Sequence, residues 1–256
     1  MTAKLLPRSF VTQPLAHRAL HDIENGRPEN SRAAIQAAID AGYGIEIDVQ
    51  LSADGVAMVF HDYQLDRLTE AKGPVRLLSA AALKAIPLRG GDETIPDLGE
   101  VLALVAGQVP LLVEVKDQDG AMGTNVGALE RATAQALQGY QGDVAVMSFN
   151  PHSVAMMQQL CPDVPRGITT CSYRPMDWPL PTATCDALRE IPDYSRVGAC
   201  FISHEADDLD NPRVGELKQE GAVICSWTIR STEEEAAARR VADNITFEGY
   251  LAAIDA

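Results

Sequence analysis

The chain has 256 residues, of which 46% are hydrophobic and 22% are charged, so it is long enough to bury a sizeable core and has the composition of an ordinary globular protein. Its formal net charge of −15 argues against non-specific nucleic-acid binding and against adsorption to anionic lipid, because no basic surface is available. An anionic substrate would therefore need a strongly local positive site.

The cysteines and the apolar segments bear on compartment and membrane association. The five cysteines are odd in number and include no Cys-x-x-Cys pair, which is typical of reduced thiols rather than of a disulfide framework or a zinc knuckle. The N-terminus lacks the apolar stretch of a signal peptide, and the longest apolar region, 101–115, is interrupted by Gly107 and Pro110. We expect a cytoplasmic protein without stable membrane association, and its composition is compatible with a homo-oligomer.

Strand-like and helix-like runs alternate along the chain. Apolar runs predict eight strands, at residues 15–17, 44–49, 111–116, 144–149, 165–169, 199–203, 222–228 and 244–247. Helix start signals stand between them, for example Asn30 as the cap of a helix at 31–41, and Ser231 with Glu234 as the capping box of a helix at 232–240. The other predicted helices cover 97–106, 152–160 and 213–220.

This alternation predicts the fold class. Eight strands alternating with helices over about 250 residues are typical of a closed (β/α)8 TIM barrel. The alternative is an open doubly wound sheet, which is disfavoured because no G-x-G-x-x-G follows the first strand. No repeat or low-complexity linker divides the sequence, so we expect a single barrel domain over residues 1–256.

One segment after the second strand departs from the alternation. Only residues 51–56 separate that strand from the apolar run 57–61, which is too short for a parallel crossover, and Asp54-Gly55 is a hairpin turn signal. A two-residue loop would pair Asp48 with His61, whereas a four-residue loop would pair Glu46 with His61. Either register brings His61 beside a carboxylate, and residues 62–98 are then expected to be a small insertion over the barrel mouth.

Charged and polar pairs stand where four of the predicted strands end. They are His17-Arg18, Glu46-x-Asp48, His61-Asp62 and Glu114-x-Lys116. Because side chains alternate along a strand, the two members of each spaced pair point to one face. Charged groups within apolar runs are costly unless they are paired or bind an ion. In a barrel the carboxyl ends of the strands meet, which predicts one shared site.

The residue types at these ends indicate metal-assisted chemistry. Crowded carboxylates raise one another's pKa unless a cation joins them, and all-oxygen ligation suits Mg²⁺ or Ca²⁺ better than zinc. Two histidines near such an ion could serve as general base and general acid. Arg18 and Lys116 would then bind an anionic group such as a phosphate.

Simpler interpretations stay open for several of these residues. Lys116 could be only an ion-pair partner, and Asn30 after Glu29 is most simply a helix cap. Phe149 and Trp227 end later strands and could be plain core. His21, His152 and His204 are not expected to be catalytic.

Taken together, these motifs resemble those of the glycerophosphodiester phosphodiesterase family. The matching segments occur in the family's order over residues 15–230, nearly the whole chain. They are His17-Arg18-Ala19, Arg27-Pro28-Glu29-Asn30-Ser31, the strand 44–50, Asp54-Gly55, His61-Asp62-x-x-Leu65-Asp66-Arg67, Val113-Glu114-Val115-Lys116, Ser148-Phe149-Asn150 and Trp227-Thr228.

The resemblance implies a barrel that hydrolyses glycerophosphodiesters to glycerol 3-phosphate and an alcohol, with a part in lipid and glycerol metabolism. It implies His17 and His61 as the acid–base pair, with His17 favoured as the base. The implied ligands of a divalent cation are Glu46, Asp48 and Glu114, and the implied substrate contacts are Arg18, Lys116, Glu29 and Trp227.

Two positions depart from the family pattern. Ala19 stands where glycine is usual, and the last strand, 243–248, lacks the usual Thr-Asp-x-Pro ending.

The alternative functions are those of a related phospholipid-type phosphodiesterase barrel, a glycosidase, and a non-catalytic phosphodiester-binding barrel.

Overall fold

A computed structural model describes residues 4–254, and eight of their strands close into a parallel barrel. The strands are β1 (Leu15–Ala16), β2 (Gly44–Leu51), β3 (Ala57–Val59), β4 (Leu111–Val115), β5 (Val144–Ser148), β6 (Arg166–Thr170), β7 (Phe201–Glu205), β8 (Val223–Ile229) and β9 (Asn244–Phe247). Closure occurs at β1, which pairs in parallel with both β2 and β9. β3 lies outside the barrel and pairs antiparallel with β2. The predicted (β/α)8 barrel is confirmed.

Helices surround the barrel. They are α1 (Ser9–Thr12), α2 (Arg32–Ala41), α3 (Ala80–Leu83), α4 (Leu98–Val105), α5 (Ala128–Leu137), α6 (Pro151–Leu160), α7 (Thr182–Arg189), α8 (Pro212–Gln219) and α9 (Thr232–Ala238). α5 and α7 were not predicted because Gly127 and Pro181, which precede them, provide no side-chain cap. Within residues 4–254, no helix combines the length and the apolar character that crossing a membrane requires.

The interior of the barrel changes character from one end to the other. Its amino-terminal end is filled by an apolar cluster that includes Leu15, Leu112 and Phe201, with Phe10 of α1 packed against it. Glu114 lies two residues after Leu112 on the same face of β4. Along this face the interior therefore changes from apolar to charged. The apolar end provides a rigid floor for a polar site at the carboxyl end.

The hairpin of β2 and β3 has a register that differs from both predictions. Val49 lies opposite Val59, and the amide of Phe60 donates to the carbonyl of Asp48 at 3.0 Å. Both predicted pairings of His61 are therefore wrong by one residue. His61 lies beyond the end of β3 and still lines the same cavity as the β2 carboxylates.

The physical reason for the register is a three-residue loop over positions 53–55. The amide of Ser52 donates to the carbonyl of Val56 at 3.0 Å, and the amide of Val56 donates to the Ser52 hydroxyl at 2.9 Å. Gly55 adopts a φ of +83°, the left-handed conformation that three-residue hairpin loops require near their end. The Asp-Gly signal correctly indicated a turn but not its length.

The insertion between β3 and α4 has an apolar cluster of its own. Met58 and Phe60 of the hairpin pack there with Leu65, Leu83 and Ile95, and this cluster is separate from the one that joins barrel and helices. The insertion brings residues 61–64 to the rim of the cavity at the barrel mouth. The predicted insertion is confirmed.

Candidate active site

The side chains that end the strands meet in a cavity of about 160 Å³ at the carboxyl end of the barrel. The predicted site residues that line it are His17, Arg18, Glu46, Asp48, His61, Glu114, Lys116 and Trp227. Glu29 is the one predicted site residue that does not line it. Parallel strands thus bring together groups that are up to 210 residues apart in the chain.

Three carboxylates form the charged centre of this cavity. Asp48 and Glu114 occupy paired positions on β2 and β4, and one oxygen from each of these residues and from Glu46 lies within 4.8 Å of the others. All three residues are buried. Burial and the charges of Asp48 and Glu114 raise the pKa of Glu46 well above its usual value.

Two cationic side chains partly compensate this negative charge. The Lys116 ammonium donates to Glu114 Oε1 at 2.8 Å and lies 2.9 Å from Asp48 Oδ1, and Arg18 Nε lies 3.8 Å from Asp48 Oδ2. Burial opposes ionisation of Asp48, but Lys116, His61 and Arg18 outweigh it and hold its pKa well below the usual range. Two cations cannot neutralise three ionised carboxylates, so the ionised form of Glu46 needs a further positive charge beside it. The oxygen-rich donor set fits a divalent cation.

Asn30 holds Asp48 in place, which corrects the prediction that it caps α2. The cap is Ser31, whose hydroxyl accepts from the amide of Ala34 at 3.1 Å. Asn30 has a φ of +58°, and its side chain donates to Asp48 Oδ2 at 3.1 Å while accepting from the Asp48 amide at 3.3 Å. Because the serine after it satisfies the helix end, the asparagine is available to fix a proposed metal ligand.

Each of the two site histidines is held by a carboxylate of its own. His17 Nδ1 lies 2.6 Å from Glu248 Oε2, and His61 Nδ1 lies 2.7 Å from Asp62 Oδ1. Hydrogen bonds from His17 and His21 lower the pKa of Glu248, and hydrogen bonds from His61 and Arg67 lower that of Asp62 despite its burial. Ionised carboxylates can only accept, so each Nδ1 carries a hydrogen and each Nε2 is left for other chemistry.

The electrostatic surroundings of His17 favour its neutral form. Burial lowers its pKa, the bond and charge of Glu248 raise it, and the charge of Arg18 lowers it again, with a net lowering from the ordinary value. A histidine that is neutral near pH 7 can accept a proton. Its Nδ1–H is already used, so Nε2 is the accepting atom.

Glu248 is a site residue that the sequence reasoning missed. It directly follows β9, in the segment that departs from the family's usual ending. The sequence feature that could have indicated Glu248 is the one shared by the other site residues, a charged residue at the carboxyl end of a strand. Ala19, the other departure, adopts a φ of +65°, the left-handed region that favours glycine.

A chain of ion pairs connects the two sides of the site. Arg18 Nη1 donates to Glu29 Oε1 at 2.8 Å, and Arg67 donates to both oxygens of Glu29 at 2.7 and 2.8 Å. Arg67 Nε also donates to Asp62 Oδ2 at 2.7 Å, and Asp62 holds His61. Both oxygens of Glu29 thus accept hydrogen bonds from arginines, so Glu29 orients the side chains of Arg18 and Arg67.

The histidines expected to be non-catalytic have different surroundings. His204 is fully buried, with Nδ1 2.7 Å from the Thr170 hydroxyl and Nε2 3.0 Å from the carbonyl of Asp208. His21 Nε2 lies 3.5 Å from Glu248 Oε2, so it borders the site without lining the cavity of the carboxylates. His152 lies on α6, away from that cavity.

Comparisons with known proteins identify similar sequences and one family model. A family model described as the "Glycerophosphoryl diester phosphodiesterase family" matches residues 17–244. The chain is 30% identical to a glycerophosphodiester phosphodiesterase of Bacillus altitudinis over 169 residues, 62% of this chain and 67% of that protein. It is 31% identical to glycerophosphodiester phosphodiesterase 1 of Bos taurus over 264 residues, 90% of this chain and 75% of that protein.

A solved structure has the same fold. It is that of a phosphodiesterase from Oleispira antarctica in complex with the product sn-glycerol-3-phosphate. The TM-score is 0.75 at 23% sequence identity, with 94% of each chain covered. At this identity the similarity establishes the shared barrel.

The contact between Glu248 and His17 leads to a prediction about titration. Replacing Glu248 by Gln removes a negative charge that favours the imidazolium, so the pKa of His17 should fall further below its ordinary value. The measurement is an NMR titration of the His17 ring, with the resonance identified from its loss in His17→Ala. The matched control is Glu220→Gln, at the exposed end of α8, which should leave the titration unchanged. An equal or higher pKa in Glu248→Gln would show that Glu248 does not act on His17 as described.

Proposed function

This chain belongs to the glycerophosphoryl diester phosphodiesterase family and is a phosphoric diester hydrolase, and we propose that it hydrolyses glycerophosphodiesters to glycerol 3-phosphate and an alcohol by acid–base catalysis between His17 and His61. The observation that carries the proposal is one cavity with three carboxylates, two cations and two histidines, each histidine bound to its own carboxylate. A glycosidase needs paired carboxylates but no such cations. A non-catalytic barrel has no need of two oriented histidines.

We propose that Glu46, Asp48 and Glu114 hold a divalent cation, Mg²⁺ or Ca²⁺. Their clustering and their burial support this assignment. When bound, such a cation neutralises negative charge that develops on the phosphoryl oxygens. Asn30 keeps Asp48 oriented for this role through its two hydrogen bonds.

His17 is the proposed general base. Its neutral form is favoured, and with Nδ1–H bound to Glu248 its Nε2 accepts the proton of the nucleophile. The nucleophile is water, or it is the 2-hydroxyl of the substrate glycerol, in which case a cyclic phosphate forms as the alcohol leaves and water then opens it to glycerol 3-phosphate. His61 is the proposed general acid, and its Nε2–H protonates the departing alkoxide. The bond from His61 Nδ1–H to Asp62 orients the ring for this transfer.

Arg18 and Lys116 are the proposed phosphate contacts. Both line the cavity beside the carboxylates, and the overall charge of −15 makes a local positive site necessary for an anionic diester. We propose that Glu29 serves the substrate indirectly, by fixing the Arg18 guanidinium. Trp227 lines the cavity and is proposed to contact the alcohol. A cytoplasmic location and a role in lipid and glycerol metabolism stay predictions from the sequence.

The proposed function is tested by product analysis with a panel of glycerophosphodiesters. Glycerol 3-phosphate and free alcohol are expected from the wild-type protein. Release of glycerol and the phosphorylated alcohol instead would mean that the bond between glycerol and phosphate is cleaved, which contradicts the proposal. Absence of turnover with every member of the panel would also contradict it.

The first kinetic prediction concerns metal dependence. Excess chelator should abolish turnover, because the site then lacks the cation that would neutralise negative charge developing on the phosphoryl oxygens. Adding Mg²⁺ or Ca²⁺ back should restore activity, as followed by product release. Full activity in excess chelator would refute the metal site.

The second kinetic prediction concerns the histidines. His17→Ala and His61→Ala should each lower kcat by ~10²-fold or more, the usual range for a general acid or base. The control is His152→Ala, since His152 lies outside the cavity and should have little effect. The assignment fails if either site variant retains wild-type turnover.

The third kinetic prediction separates two roles of Lys116. If Lys116 binds phosphate, Lys116→Met should lower kcat by ~10²–10³-fold, the effect of removing one donor from developing charge. If it only pairs with Asp48 and Glu114, metal should bind more tightly at near-normal turnover, because those carboxylates lose a competing cation. Metal titration and kinetics on this variant, with exposed Lys72→Met as the control, distinguish the two, and the second pattern would refute the phosphate role.

A further inference from the structure

Two cavities of opposite character meet at the catalytic residues. The cavity of about 160 Å³ described above continues into one of about 520 Å³. The residues that line both are His61, Glu114, Lys116, Phe149 and Trp227. If the proposed function holds, the phosphodiester lies at this junction and its two alcohol groups point into different surroundings.

The small cavity is suited to a ligand with hydroxyl groups. Among its lining residues, Thr169, Ser203 and Thr246 are at most 1% exposed. Within the described part of the chain, the hydroxyl oxygens of these three residues have no hydrogen-bond partner. Buried polar groups without partners are unfavourable, so this layer can bind a polar ligand. The glycerol half of the diester has free hydroxyls that can satisfy it.

The large cavity has carboxylates that are already paired. Asp62 is bonded by His61 and Arg67. Asp117 accepts from the Asn150 side chain at 2.8 Å and from the amides of residues 119 and 120 at 3.0 and 2.9 Å. Glu114 is paired with the Lys116 ammonium, so these three acids have partners before any ligand enters.

The rest of the large cavity is mostly aromatic. Phe149 stands between two tryptophans, with ring centroids 5.2 Å from Trp178 and 5.6 Å from Trp227. Tyr173 is fully buried behind this aromatic wall, 5.1 Å from Trp178. The Trp227 indole N–H already donates to the carbonyl of Ser203 at 2.9 Å, so the Trp227 ring offers the cavity an apolar surface.

We propose that this aromatic wall, made by Phe149, Trp178 and Trp227, binds the leaving alcohol and gives the enzyme a preference for alcohols with an apolar body of several carbons. Trp178, from the loop between β6 and α7, is the specificity-determining residue. The volume of about 520 Å³ is that of a drug-sized ligand site and exceeds what a two-carbon alcohol fills. The inference rests on the proposed function.

The observations favour an apolar group over an ammonium group. An ammonium group is recognised over the faces of aromatic rings, and ionised carboxylates nearby add to its attraction. Of the acids here, Asp62 and Glu114 are already neutralised by Arg67 and Lys116. Apolar burial needs only area removed from water and no particular ring orientation. The aromatic wall meets this second requirement.

The test is a series of glycerophosphodiesters whose second alcohol is methanol, butanol, hexanol or octanol. For the wild-type enzyme, kcat/KM should rise by up to about fourfold for each methylene that becomes buried. In Trp178→Ala, the ratio of kcat/KM for the octyl to the methyl ester should fall by roughly tenfold or more, and Trp178→Phe should recover part of it. Leu160→Ala, at the far end of α6, should leave the ratio unchanged.

A second substrate pair separates apolar from cationic recognition. Glycerophosphocholine is compared with its uncharged isostere, in which 3,3-dimethylbutanol replaces choline. Equal or faster turnover of the isostere supports the proposal, and a tenfold preference for choline overturns it.

The outcomes also distinguish failure of the proposed alcohol preference from failure of the proposed phosphodiesterase function. A wild-type enzyme that cleaves all four alkyl esters equally well contradicts only the alcohol preference. An enzyme that cleaves none of the four, nor glycerophosphocholine, contradicts the proposed function itself. Because each ratio is taken within one protein, a partly unfolded variant does not distort it.

Discussion

Mutual repulsion among three buried carboxylates is the constraint on which the polar end of this barrel depends. Glu46, Asp48 and Glu114 cannot be brought this close in a low-dielectric interior without compensation. Lys116, two residues after Glu114 and on the same face, supplies part of the compensating positive charge. Arg18, in the loop after β1, supplies another part. Hydrogen bonds from Asn30 to Asp48 and from Arg18 to Glu29 keep Asp48 and Arg18 in position.

The two halves of the site use that charge differently. At the side of the proposed metal site, polar groups are crowded and the hydroxyl groups of Thr169, Ser203 and Thr246 have no hydrogen-bond partner in the described residues, which favours ligands rich in oxygen. At the aromatic side the acids are already paired, and the tryptophans and Phe149 leave surface that water covers poorly. The barrel mouth thus provides a polar and an aromatic environment side by side, and His61 lines both cavities.

Period-two alternation explains what could be read from the sequence. It placed Glu46 with Asp48 and Glu114 with Lys116, and the strand–helix alternation gave the barrel, because both depend only on local geometry. The hairpin register could not be obtained this way, since one residue in the loop length decides it. Asn30 and Trp178 lie in turns and loops, where no period orders the side chains. Glu248 carried the same signal as the other pairs and was overlooked only because its segment differs from the family's ending.

The separate apolar cluster of the insertion has a consequence for how this protein loses activity. A segment with its own small core can open as a cooperative unit at a lower free energy than the barrel. Asp62 and Arg67 belong to that segment, so its opening would release His61 from Asp62 and leave Glu29 without Arg67 while the barrel stays folded. Heat inactivation would then precede melting of the secondary structure. Local opening of the insertion, rather than global unfolding, would set the temperature limit of the enzyme, and amide exchange in the insertion would report that opening.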